Sequence, residues 1–206
     1  MSKRRATGGA GLRGIPVRYV IGGVALILII VGFGVALLSG GGGSDSADFT
    51  AVPDGYPYPV QAIERIADRS HFPVGQVYDE YNSNPPTSGP HAAAPAPAGI
   101  SDAAVPKEMA VHNMEHAGLV VWYNCDAPPI LSGEDCTALR NELGAVVQSA
   151  NAGGKRVLMT PYADMNHRIA LTTWGFLDTF EEFDAARVQE FIDTFECNFD
   201  PEHFCG

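Results

Sequence analysis

The segment HNMEHAGLVVWY (His112–Tyr123) changes character at Gly118. Its end, GLVVWY, is rich in valine and aromatics and reads as a buried strand, whereas HNMEHA before it is polar and closes on a glycine. His112 and His116 stand four residues apart. If that stretch is one helical turn, both imidazoles share a face and can chelate a single ion, with Glu115 adjacent but pointing elsewhere. The pattern is not H-E-x-x-H, because Glu115 directly precedes the second histidine, so it gives no ground for a metalloprotease.

Working outward from that strand, Ser132–Ser149 reads as a helix. Ser132 and acidic residues mark its first turn, and Leu139, Leu143, Val146 and Val147 share an apolar face. Arg156–Tyr162 (RVLMTPY) and Ile169–Phe176 (IALTTWGF) read as strands. Asp184–Thr194 reads as a helix capped by Asp184, with Val188, Phe191, Ile192 and Phe195 facing a sheet. Upstream, Phe49–Tyr58 is a proline-rich approach, Val60–Ala67 a short helix or turn, and His71–Tyr81 a short strand or extended stretch interrupted by Pro73 and Gly75. The expected fold is a small α+β domain with a mixed or antiparallel sheet packed by about two helices.

A second histidine motif lies in NPPTSGPH (Asn84–His91). The prolines hold the backbone extended and SGP supplies a turn, so this segment acts as a rigid loop that delivers His91 to a set position. The chain has six histidines. One histidine before an apolar strand is often only a loop brace, but His91, His112 and His116 in two polar, turn-rich segments point to shared use, with His167 as a further candidate ligand. His203 reads as a surface residue. Three imidazoles with an open position suit catalytic zinc, while imidazole with methionine suits copper. Met109, Met114, Met159 and Met165 are at hand, although such methionines more often fill cores. Copper ranks slightly ahead of zinc.

The first fifty residues differ from the rest. Residues 1–18 form a basic tail, and Tyr19–Leu38 is an uncharged run of twenty, long enough for a helix to cross the hydrocarbon layer. Residues 39–55 read as a flexible Gly/Ser/Pro linker and 56–206 as one folded domain. All nearby positive charge lies before the run and Asp45 and Asp48 follow it, which predicts a single-pass cell-membrane protein with a cytoplasmic N-terminus and an extracytoplasmic domain. A cleaved signal peptide is the competing reading, against which stand the length of the run and the lack of a small-x-small site. Beyond the run, eight basic residues face all 24 acidic ones, a formal charge of −16. That charge argues against nucleic acid and against direct adhesion to an anionic bilayer.

Cysteine usage agrees with export. Cys125, Cys136, Cys197 and Cys205 all fall in the outer domain, and two disulfides in an oxidising compartment are the simplest reading. Local pairing, Cys125 with Cys136 and Cys197 with Cys205, closes two short loops, although crossed pairings remain open. Their spacings do not match thiolate zinc knuckles.

The order of one N-terminal span, PPTSGPH at Pro85–His91, HNMEH at His112–His116 followed by an apolar strand, and TPY at Thr160–Tyr162 resembles the membrane-anchored bacterial and archaeal family catalogued as domain of unknown function 3105. The resemblance runs roughly from Tyr56 to Phe199. It implies that His91, His112, Glu115 and His116 match the family's signature, and it carries no settled biochemical role.

These readings favour a membrane-tethered extracytoplasmic domain that binds one copper or zinc ion through His91, His112 and His116, in metal handling or as an accessory subunit of a membrane complex. Glu115 then orients a ligand histidine or carries a proton. The alternatives are a zinc hydrolase in which Glu115 relays a proton from metal-bound water, and a metal-free interaction domain whose histidines brace two loops. A histidine triangle too wide for one ion, or Glu115 buried against an arginine such as Arg168, favours the metal-free case.

Overall fold

The computed structural model describes residues 50–205. The expected basic tail, the spanning helix 19–38 and most of the linker lie outside the described residues. Among the described residues, no helix is long and apolar enough to cross a membrane.

In chain order the elements are β1 (Gln61–Ala62), β2 (His71–Phe72), β3 (His91–Ala92), β4 (Gly99–Ile100), α1 (Lys107–Glu115), β5 (Leu119–Tyr123), α2 (Gly133–Ala152), β6 (Val157–Pro161), β7 (Ile169–Thr173), β8 (Phe176–Phe180) and α3 (Ala185–Phe195). Six strands make one mixed sheet in the order β1-β8-β7-β5-β6-β4, and β2 and β3 make a separate two-stranded sheet. β5 pairs parallel with β6 and antiparallel with β7. Its five residues are all buried because the sheet is covered on both sides. Leu119, Val121 and Tyr123 join Leu143 and Val147 of α2 and Phe191 and Phe195 of α3 in one apolar cluster. Val120 and Trp122 face the opposite layer, where Ala110, Val111 and Met114 of α1 pack with Trp174. The uninterrupted apolar run at Leu119–Tyr123 thus reflects a central strand between two helical layers.

The helix ends follow their capping residues. Ser132 Oγ accepts a hydrogen bond from the Asp135 amide at 3.1 Å, and Asp184 Oδ1 accepts one from Arg187 at 3.1 Å. Among the described residues three helices pack on the sheet where about two were expected, because α1 begins at Lys107 and carries HNME as its last turn. Val60–Ala67 is not helical: Gln61–Ala62 instead pairs antiparallel with β8 at the sheet edge. The expected strand Ile169–Phe176 is a hairpin, since Gly175, at φ +86°, turns the chain back into β8. Both disulfides have the local pairing, Cys125–Cys136 and Cys197–Cys205.

Candidate metal centre

The α1 side of the sheet gathers four of the six histidines. α1 supplies His112 and Glu115, three residues apart and therefore on one face, so Glu115 turns toward the histidines instead of away from them. Gly118 lets the helix run so closely into β5. A Cβ there would meet Asn113 O at 2.7 Å and Arg156 O at 3.0 Å, both backbone atoms that cannot yield cheaply. The Asn113 side chain clamps the segment after β3, accepting from Ala96 N at 2.9 Å and donating to Ala96 O at 2.8 Å.

In the loop expected to deliver His91, residues 85–92 are buried without a break. Ser88 Oγ accepts from Ile66 N at 3.0 Å, Thr87 O from Gly175 N at 3.1 Å, and Pro90 O from the Tyr81 hydroxyl at 2.8 Å. His91 emerges from this braced segment into β3. There it pairs in parallel register with β2, His71 directly opposite His91. Neighbouring strands place side chains at matched positions on the same face, so the two rings meet, with centroids 4.4 Å apart.

The donor atoms converge. Ligating nitrogens of His71, His91 and His112 all lie within 4.8 Å of one another. His71 Nε2 and His91 Nε2 are 3.0 Å apart, and Glu115 Oε2 is 2.9 Å from His91 Nε2 and 3.4 Å from His71 Nε2. Backbone carbonyls set the tautomers. His91 Nδ1 donates to Gly89 O at 2.8 Å and His112 Nδ1 to Ala92 O at 2.6 Å, which leaves each neutral ring with a bare Nε2. Glu115 is 4% exposed. Its Oε1 meets Arg69 Nη1 at 3.2 Å, yet its buried Oε2, despite the short approach to His91, accepts no aligned hydrogen bond. Burial is the main cause that pushes the His91 pKa below the ordinary 6.5; the Gly89 hydrogen bond and the Glu115 charge oppose it. The His91 ring therefore offers a lone pair at neutral pH. One proton can join only one of these close pairs, whereas one cation serves all of them.

His116, at the C-terminal end of α1, lies beside this group and not within it. Its Nε2 is 3.1 Å from His112 Nε2 and 3.2 Å from Glu202 Oε2. His167 is elsewhere: it precedes β7 and pairs with Glu181 at 2.8 Å, while the other end of that strand contacts Gly118 through Thr173. About 13 Å of strand separates the two ends. Met114, Met159 and Met165 are buried in the apolar clusters and Met109 packs against one, so these methionines fill the core. Arg168 gives its guanidinium to the Cys125 and Pro129 carbonyls, leaving Arg69 as the arginine that meets Glu115. The donor missed in the sequence is His71. Its strand has two residues and no readable period, and its partner lies twenty residues away.

The family model described as protein of unknown function (DUF3105) matches residues 76–204, well over half of the chain. The chain belongs to that family. The match contains His91, His112, Glu115, His116 and Glu202, while Arg69 and His71 of this DUF3105 protein precede it. Compared with the expected Tyr56–Phe199 it begins later and ends later. No curated protein and no solved structure matches the chain.

Proposed function

We propose that the DUF3105 domain binds a divalent first-row transition ion through His71, His91 and Glu115, with His112 as a fourth donor, and that helix 19–38 tethers it to the outer face of the cell membrane for metal handling or service to a membrane complex. The observation that carries this reading is Glu115 Oε2, a buried carboxylate oxygen among imidazole nitrogens that accepts no aligned hydrogen bond. In a metal-free cluster His71 donates to His91 and His116 to His112, and that oxygen is still left over. Leaving it so costs about 1–3 kcal/mol, which a cation reverses.

The separations of 2.9 to 3.4 Å among His71, His91 and Glu115 suit donors sharing one ion, because bonds of about 2.0–2.1 Å at tetrahedral angles put ligand atoms roughly 3.3 Å apart. Imidazole and carboxylate without thioether suit zinc or copper(II) over copper(I). Glu115 at ligand distance favours holding the ion over hydrolysis, which asks for a carboxylate free to take a proton from metal-bound water. The side chain of His71 is 43% exposed and offers a route for the ion from solvent.

The test is metal content by mass spectrometry on full-length protein purified without a metal-affinity column. Copper or zinc near or above one equivalent in the wild type and about one equivalent less in His91→Ala supports the reading. Equal, trace metal in both folded proteins overturns it.

A further inference from the structure

We infer that the domain holds a second divalent cation beside the first, on His112, His116 and Glu202; this rests on the inner ion proposed above. His116 Nε2 stands 3.1 Å from His112 Nε2 and 3.2 Å from Glu202 Oε2, two separations that fall within the 2.9 to 3.4 Å of the inner set. The Nδ1–H of His112 is committed to Ala92 O, so His112 has one lone pair and can serve one ion at a time. An inner ion that takes it removes the acceptor that His116 faces. An outer ion that takes it leaves His71, His91 and Glu115 for the inner ion. With both ions bound, His112 passes from the inner ion to the outer one, and the cluster divides into two three-donor sets, each of two imidazoles and a carboxylate. Such a donor set selects zinc or another borderline divalent ion.

The outer set is built by the fold. His116 follows His112 by one turn, with its ring 4.3 Å away at 84°. Glu202 comes from the loop that the Cys197–Cys205 disulfide closes. Asp200 tightens that loop by accepting from Phe204 N at 2.7 Å and Cys205 N at 2.8 Å. Phe204 packs on His116 with ring centroids 4.7 Å apart. On the inner side, Phe199 of the same loop stacks on Trp174, the ring that backs His91. One disulfide-closed loop therefore supports both positions.

The experiment is a zinc titration of metal-stripped full-length protein against a chromophoric chelator, on wild type, Glu202→Gln, His116→Ala and His91→Ala. Two resolved equivalents are expected in the wild type. Glu202→Gln and His116→Ala should each weaken the second step at least about tenfold and leave the first within about twofold, a loss in the range known for metal-site residues. One equivalent in the wild type, abolished in His91→Ala and unaltered in Glu202→Gln and His116→Ala, overturns the second position and leaves the inner one standing. No zinc binding in the wild type overturns both. Glu202→Gln preserves size at a half-exposed loop position, so its result does not depend on a large structural change.

Discussion

Replacing Glu115 with glutamine has opposite expected effects with and without metal, which makes it the sharpest test of the cluster. Glu115 Oε2 lies 2.9 Å from His91 Nε2, and both atoms offer lone pairs. In chelator-treated protein a glutamine amide at that position donates to His91 Nε2. Relieving a buried, unpaired oxygen is worth about 1–3 kcal/mol. The lost pair with Arg69, whose side chain is 45% exposed, costs at most about 1 kcal/mol because solvent screens it. The net expectation is a gain of about 1–2 kcal/mol in the metal-free protein, or roughly 2–8 °C in Tm for a domain of this size. With zinc present the sign reverses. Removing an anionic donor should weaken binding by at least about 10–100-fold, equivalent to about 1.4–2.8 kcal/mol. Thermal melts of both proteins in excess chelator and in zinc, with a competition titration for affinity, read the two effects separately. A lower Tm for Glu115→Gln in chelator, together with unchanged zinc affinity, refutes the reasoning and makes Glu115 an ordinary structural carboxylate.

Two further predictions concern pH and the turn into β5. Burial holds the His91 and His116 pKa values below 6.5 in the folded protein, so the unfolded chain takes up protons first as the pH falls. The stability of metal-free protein owed to these rings is complete above about pH 6.5 and declines as pH drops from there through the folded values. Denaturant titrations in chelator from pH 7.5 to 5 should show a steeper fall for wild type than for His91→Gln; parallel profiles would sink the assignment. Gly118→Ala drives a Cβ into Asn113 O and Arg156 O and should cost about 2–3 kcal/mol while weakening zinc binding through displacement of His112 and Glu115. Gly133→Ala, where nothing lies within 4 Å of the added carbon, is the control, and equal melting temperatures for the two variants would contradict the close-approach argument.

The elements legible in the sequence are those whose signal is local. Ser132 and Asp184 cap α2 and α3 because an N-cap needs only a side-chain oxygen within three residues of an orphan amide. The apolar faces of those helices repeat within a few turns, and the five buried residues of β5 are contiguous. The break between β7 and β8 was available in Gly175, yet the apolar residues on either side mask it, and only the pairing of Ile169 with Phe180 exposes the hairpin. Gln61–Ala62 carries no strand pattern and is extended because β8 offers an open edge.

The metal centre divides in the same way. The amino-acid order by itself determined that His112, Glu115 and His116 fall within one turn if their stretch is helical, that His91 ends a proline-rich loop, and that pairing of near-neighbour cysteines closes two short loops. Only the tertiary structure decided that His71 lies opposite His91, that Glu115 Oε2 is buried among the ring nitrogens, and that Glu202 reaches His116 while His167 does not join the group. Spacing along one helix is set by its 3.6-residue period and can be read from letters, whereas the meeting of two-residue strands depends on the packing of the whole α1 layer.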